Sequence, residues 1–163
     1  MLSLKKSALI LSTAFTSIVG LNYIFLKKTG NFSQGALMNN TMGTIYIVFA
    51  ILKLIDLKKF ATIFQKYDII SKNAPIYAYV YPFIELFMGI SFLKKYKLNK
   101  LHISSILLMS ISIVSVVLSM INGEKLRCGC LGSFFHIPLS YVTLSENFVM
   151  IAMSTMHFLP SST

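Results

Sequence analysis

Acidic residues are scarce in this sequence and cysteines scarcer: 5 Asp and Glu stand against 15 Lys and Arg, a formal charge of +10, and 163 residues include only 2 cysteines. Charged residues make up 12% of the chain and hydrophobic ones 55%, with a mean hydropathy of +0.72. That little charge does not cover a soluble surface, so the chain reads as an integral membrane protein. Missing motifs narrow the chemistry further. There is no Gly-rich phosphate loop, no zinc-type cysteine array, no His-Glu-x-x-His, and neither a repeat nor a low-complexity segment. The surplus of lysine does not point to nucleic acid, because most lysines flank apolar runs, where they meet lipid headgroups and set topology.

The apolar runs themselves predict an all-α, polytopic helical bundle. Ser7–Leu26 carries no charge and is bracketed by Lys5-Lys6 and Lys27-Lys28; about 20 apolar residues cross a hydrocarbon core. The run is long for a signal-peptide core and no Ala-x-Ala follows, so it reads as a span. Further spans are predicted at Ala36–Ile55, Ala74–Leu93, Ile103–Asn122 and Leu139–Leu159, the last with Ser140 as its N-cap. Between the second and third, Leu57, Phe60, Phe64 and Tyr67 share one helical stripe that Lys58, Lys59 and Lys66 avoid, the pattern of a helix lying in the membrane surface over residues 57–70. Residues 1–35 are thus expected to form an N-terminal span and linker, and 36–163 a four-helix membrane domain. The location this implies is a bacterial inner membrane.

Orientation stays open at this level. With alternating spans, Lys5, Lys6, Lys53, Lys58, Lys59, Lys66, Lys72, Lys125 and Arg127 share a side with both cysteines, whereas Lys27, Lys28, Lys94, Lys95, Lys97 and Lys100 lie opposite. The plain count favours cytoplasmic cysteines. The dense short loop "KKYKLNK" favours the reverse.

Glu85 falls near the middle of the third span, where an ionisable side chain costs several kcal/mol unless it is paired, watered or neutral. It either fixes the bundle through a hydrogen bond to another helix or moves a proton. Lys53 is its counter-ion if the two helices bring them together; Lys53 is also spaced to meet Asp56 at the interface. Glu146 lies about two turns into the last span, towards the cysteine loop. Ser104, Ser105, Ser110, Ser112, Ser115 and Ser119 suit close packing and interhelical hydrogen bonds in the fourth span. Met150, Met153 and Met156 repeat every three residues, as a packing face does more readily than a copper stripe.

The stretch "LRCGCLGSFFHIPLS" holds both cysteines, with Gly129 between Cys128 and Cys130. Glycine permits the sharp turn that joins them, but the ring is tight for a disulfide, and strained disulfides exchange readily. Arg127 favours the thiolate, the reactive form. Three readings remain: thiol–disulfide exchange, Cu(I) held by the two sulfurs with His136 or a methionine, or a packed interhelical turn. Two cysteines cannot relay electrons to a second internal pair. Exchange therefore needs a thioredoxin-like or other redox partner protein, or a quinone in the bundle.

Three segments, "GTIYIVFAILKLIDLKKF", "YDIISKNAPIYAYVYPFIELFMGI" and "CGCLGSFFHIPLSYVTLSENFVMI", together resemble the MauE branch of the MauE/DoxX-like membrane proteins. The shared marks are a Lys-x-x-Asp helix end, Tyr-Asp-Ile-Ile, Pro-x-x-Glu-Leu and Cys-x-Cys-Leu-Gly, spread over Met38–Met156. The resemblance places Lys53, Tyr67, Pro82, Glu85, Cys128, Gly129, Cys130, Leu131 and Gly132 at signature positions. It implies a four-helix membrane core and a redox-associated role, such as maturing a periplasmic disulfide-rich enzyme or serving quinone-linked chemistry; some relatives resemble metal-handling proteins. Leu131 replaces the commoner phenylalanine, and Arg127 stands where many members carry an acid.

Overall fold

The computed structural model describes residues 4–30, 32–122 and 139–158. Every element in them is a helix: α1 (Leu4–Lys28), α2 (Gln34–Ile55), α3 (Leu57–Tyr67), α4 (Ile69–Asn73), α5 (Pro75–Leu93), α6 (Leu98–Ile121) and α7 (Leu139–Met156). Among the described residues, α2, α5 and α6 are long and apolar enough to cross a membrane. The protein is an all-α integral membrane protein; helices lie over all the apolar runs read as spans, but α1 and α7 are not, over their described residues, among those long and apolar enough to cross.

Local chemistry sets the helix ends. Ser33 caps α2 by accepting from the backbone N–H of Ala36 at 3.0 Å, and Asp56 caps α3 by accepting from that of Lys59 at 3.3 Å. Pro75 opens α5, where a missing N–H costs nothing. Ser140 is not a cap, because α7 already begins at Leu139.

The bundle is built on the packing of α2 against α5 and of α6 against α7, with α1 lying on α2. At Gly43 and Gly89 the backbones of α2 and α5 nearly touch: a Cβ built on either glycine falls 2.9 Å from the other's carbonyl oxygen. Lys53, later in α2, meets Glu85, earlier in α5, so the two helices are antiparallel. His102 reaches Asn39 near the start of α2, whereas Ser115 reaches Asp68 beyond its end. Hence α6 runs parallel to α2. Asn147 of α7 meets Ser112 and His157 meets Asn99, so α7 runs antiparallel to α6.

One end of the bundle therefore gathers the end of α2, helices α3 and α4, the start of α5, Asn122 and Leu139. The opposite end gathers Lys28, Gln34, Leu93, Leu98 and Met156.

The segment 57–70 departs from its expected form in two ways. Its aromatic stripe is not spent on lipid: Phe60, Phe64 and Tyr67 are buried in a core cluster with Ala78, Tyr81 and Val116, because aromatic side chains of α5 offer a better-packed partner. It is also two helices. Asp68 leaves helical geometry (φ −76°, ψ 130°), and its carboxylate accepts from the N–H of Ser71 at 2.7 Å and the hydroxyl of Ser115 at 3.2 Å.

Candidate functional site: a buried ion pair in an aromatic cage

The first turn of chemistry in the bundle is a lysine facing a carboxylate inside it. Lys53 Nζ lies 2.5 Å from Glu85 Oε1 and 2.6 Å from Oε2, and the two side chains are only 7% and 1% exposed. Sequence proximity would have sent Lys53 to Asp56. The structure pairs it with Glu85 of α5, while Asp56 caps α3.

Aromatic rings enclose the ammonium. Its Nζ is 4.9 Å from the centroid of Tyr81, 5.7 Å from that of Phe60 and 6.0 Å from that of Phe49, within the range where a ring face attracts a cation. Tyr81 sits one turn before Glu85 on α5 and is itself buried. Phe64 packs on Tyr81 at 4.8 Å between centroids and on Phe60 at 5.0 Å. Helix α3 thus roofs the pair with the stripe that the sequence displays. A buried pair of this kind survives because each charge is met by the other and by hydrogen bonds.

Pro82 lies inside α5 and is buried, between Tyr81 and Glu85. It removes the N–H that would have bonded the carbonyl of Ala78. Glu146 of α7 is half-buried.

Polar contacts continue along α6. Ser105 shares a 2.7 Å hydrogen bond with the Tyr46 hydroxyl, and Ser112 accepts from Asn147 at 2.8 Å. Ser105, Ser112, Ser115 and Ser119 are buried, whereas Ser104 is exposed and Ser110 intermediate. At the far end the His102 and His157 rings stack at 3.9 Å between centroids, with Nε2 of each 3.0 Å from an asparagine oxygen. Sequence reading missed Tyr81, Asp68 and the histidine stack. The i, i+4 spacing of Tyr81 and Glu85 was a usable signal for the first; nothing local pairs His102 with His157.

Met150 is buried in an apolar cluster with Met42, Met88, Met109 and Tyr46, with Met153 packed against it, while Met156 is 63% exposed. Met150 and Met153 thus pack inside the bundle and Met156 does not. Among the described residues, no group of three or more His, Cys, Asp or Glu side chains converges as a metal site would require. Arg127, Cys128, Gly129, Cys130, Leu131, Gly132 and His136 lie outside the described residues. The helix ends that carry their connection, Asn122 and Leu139, lie at the end of the bundle that also holds α3 and α4.

No curated protein and no solved structure matches the chain. A family profile does: that of the methylamine utilisation protein MauE, over residues 35–160. This match takes in the ion pair, the aromatic roof and the cysteine connection in one stretch, and the chain belongs to the MauE family.

Proposed function

We propose that this MauE-family protein is a thiol–disulfide accessory protein of the bacterial cytoplasmic membrane, working through Cys128 and Cys130 on the extracytoplasmic side. The observation that carries the reading is the placing of the chain's only cysteines, one glycine apart, in the connection between α6 and α7. The family match spans that connection. A short ring of this kind holds a disulfide weakly, and a weakly held disulfide passes on its oxidation.

In the proposed step, a thiolate of a partner protein attacks one sulfur of the Cys128–Cys130 disulfide and the other cysteine leaves as a thiolate. The partner's second thiolate then resolves the mixed disulfide. The partner ends oxidised and the pair reduced, with two electrons transferred; the disulfide of a thioredoxin-like protein restores the pair by the same exchange in reverse. Lys53 and Glu85 fix α2 to α5 at the bundle level from which this end is built.

Two measurements on the purified protein in detergent test the reading. Equilibration with glutathione should give a reduction potential above about −200 mV, and single Cys128→Ser and Cys130→Ser variants should differ, one accumulating a mixed disulfide with a thioredoxin-like partner and the other not. Tight Cu(I) retention by a pair with no accessible disulfide overturns the reading in favour of a copper-handling component built on the same sulfurs.

A further inference from the structure

Beyond the cysteine connection, the opposite end of the bundle carries its own signal. Helix α5 ends and α6 begins through Lys94-Lys95-Tyr96-Lys97, and two of these lysines hold left-handed backbone: Lys95 at φ 53° and Lys97 at φ 45°. Left-handed geometry suits glycine, and a residue with a Cβ adopts it at a cost. Lys95 occupies the position after a helix end where glycine is the usual residue: its N–H bonds the Phe92 carbonyl at 3.1 Å and that of Tyr96 bonds the Ser91 carbonyl at 3.1 Å. A backbone that would accept glycine at lower cost instead presents lysine twice, and strain retained at a particular side chain points to a use for that side chain.

The charge around the turn has one sign. Lys94, Lys95, Lys97 and Lys100 are all exposed, as are Lys27 and Lys28 at the same end. Among the described residues, those at this end, 27–30, 32–36, 92–101 and 155–158, include no Asp or Glu. At the other end, Lys58, Lys59, Lys66 and Lys72 share their segment with Asp56 and Asp68. Aromatic rings sit beside the cations: Lys97 lies 5.1 Å from the centroid of Tyr96, which is 58% exposed, and Lys27 lies 5.7 Å from that of Tyr23. Exposed tyrosine next to lysine is the composition of a membrane–water interface. Helix α6 also starts here without a side-chain cap, so the positive end of its dipole adds to the lysines.

We infer that the α5–α6 turn is a docking surface for the phosphate headgroups of acidic phospholipids, with the left-handed Lys95 and Lys97 holding their ammonium groups out to the phosphodiester. A lipid is the partner that fits: the cations lie at the end of two helices long and apolar enough to cross a membrane, with aromatic rings beside them and, among the described residues at this end, no Asp or Glu to compete. Each lysine near an anionic membrane surface is worth about fivefold in binding.

Native mass spectrometry of the full chain in a neutral detergent, with added phosphatidylglycerol or phosphatidylcholine, tests this. The wild-type protein should retain phosphatidylglycerol in preference, and a Lys94→Gln, Lys95→Gln, Lys97→Gln, Lys100→Gln variant should lose the preference by about tenfold or more. A matched variant with Lys58, Lys59, Lys66 and Lys72 changed to Gln should keep most of it. Lys95→Gly and Lys97→Gly separate lipid binding from folding: each relieves the backbone, so each should melt at or above the wild-type temperature without lipid, yet hold phosphatidylglycerol about fivefold less well. Equal retention of the two lipids by the wild type, or undiminished preference in the glycine variants, overturns the inference.

Discussion

Lys53 and Glu85 are each nearly inaccessible and each met by the other's charge, so the consequences of substitution are asymmetric. Removing one partner strands the other in a low-dielectric interior, whereas removing both leaves a site that apolar side chains can fill. Glu85→Leu or Lys53→Met alone should each cost about 3–5 kcal/mol, and the double variant should recover most of that loss. Thermal unfolding in detergent followed by circular dichroism checks the outcome, the chain having no tryptophan to report on it; a double variant as unstable as either single one contradicts the pairing. Tyr81→Phe takes away a buried hydroxyl and leaves the ring on the ammonium; a smaller loss of about 1 kcal/mol is expected. Glu85 was legible in the sequence as a charge in the middle of an apolar run. Its partner was legible only conditionally, because no sequence pattern fixes how far α2 slides along α5. That register comes from Gly43 and Gly89, whose closeness no hydropathy pattern displays.

Helix α5 illustrates how elements are fixed by what they lack. A Cβ on Gly89 would lie 2.7 Å from Ile47 Cγ1 and 2.9 Å from the Gly43 carbonyl oxygen, and a backbone atom cannot move aside as a flexible side chain can. Gly89→Ala should therefore push α2 and α5 apart and cost about 1–3 kcal/mol, against little change for Gly20→Ala, which meets nothing within 4 Å. Thermal unfolding of the two variants side by side is the comparison; equal losses rule out the close crossing. The serines of α6 make a different case. Helical spacing marked them as an interhelical seam, and half of that reading depended on which face turned inward: Ser105, Ser112, Ser115 and Ser119 are buried, and Ser104 is not. A double-mutant cycle on Ser112→Ala and Asn147→Ala should return a coupling of about 0.6 kcal/mol, since membrane helices freed of one partner find others. The break between α3 and α4 was beyond reach of periodicity, because the Asp68 carboxylate that caps α4 is held by the hydroxyl of Ser115 of α6, 47 residues away in sequence, which donates to it.

At the scale of the whole molecule, the antiparallel order of α2, α5, α6 and α7 places both ends of the cysteine connection with α3 and α4, and the α5–α6 turn at the other face. The count of basic residues in the sequence left orientation open, partly because it gave Lys53 the same weight as a headgroup lysine. In the structure Lys53 is buried against Glu85 and contributes nothing to the charge a membrane meets. The short α5–α6 turn, by contrast, presents Lys94, Lys95, Lys97 and Lys100 exposed, and short loops carry the orientation signal most strongly. An exchanging disulfide also requires an oxidising side, since cytoplasmic thiols are kept reduced. We propose on both grounds that the α5–α6 turn is cytoplasmic and that Cys128 and Cys130 lie outside. The expected outcome is that a membrane-impermeant maleimide, applied to intact cells after mild reduction, labels the native cysteines. In a variant with both cysteines changed to Ser and Tyr96→Cys added, it should label only after the membrane is opened. Labelling of Tyr96→Cys in intact cells would invert the topology, put the cysteine pair in a reducing compartment, and remove the physical basis for a disulfide-exchange role.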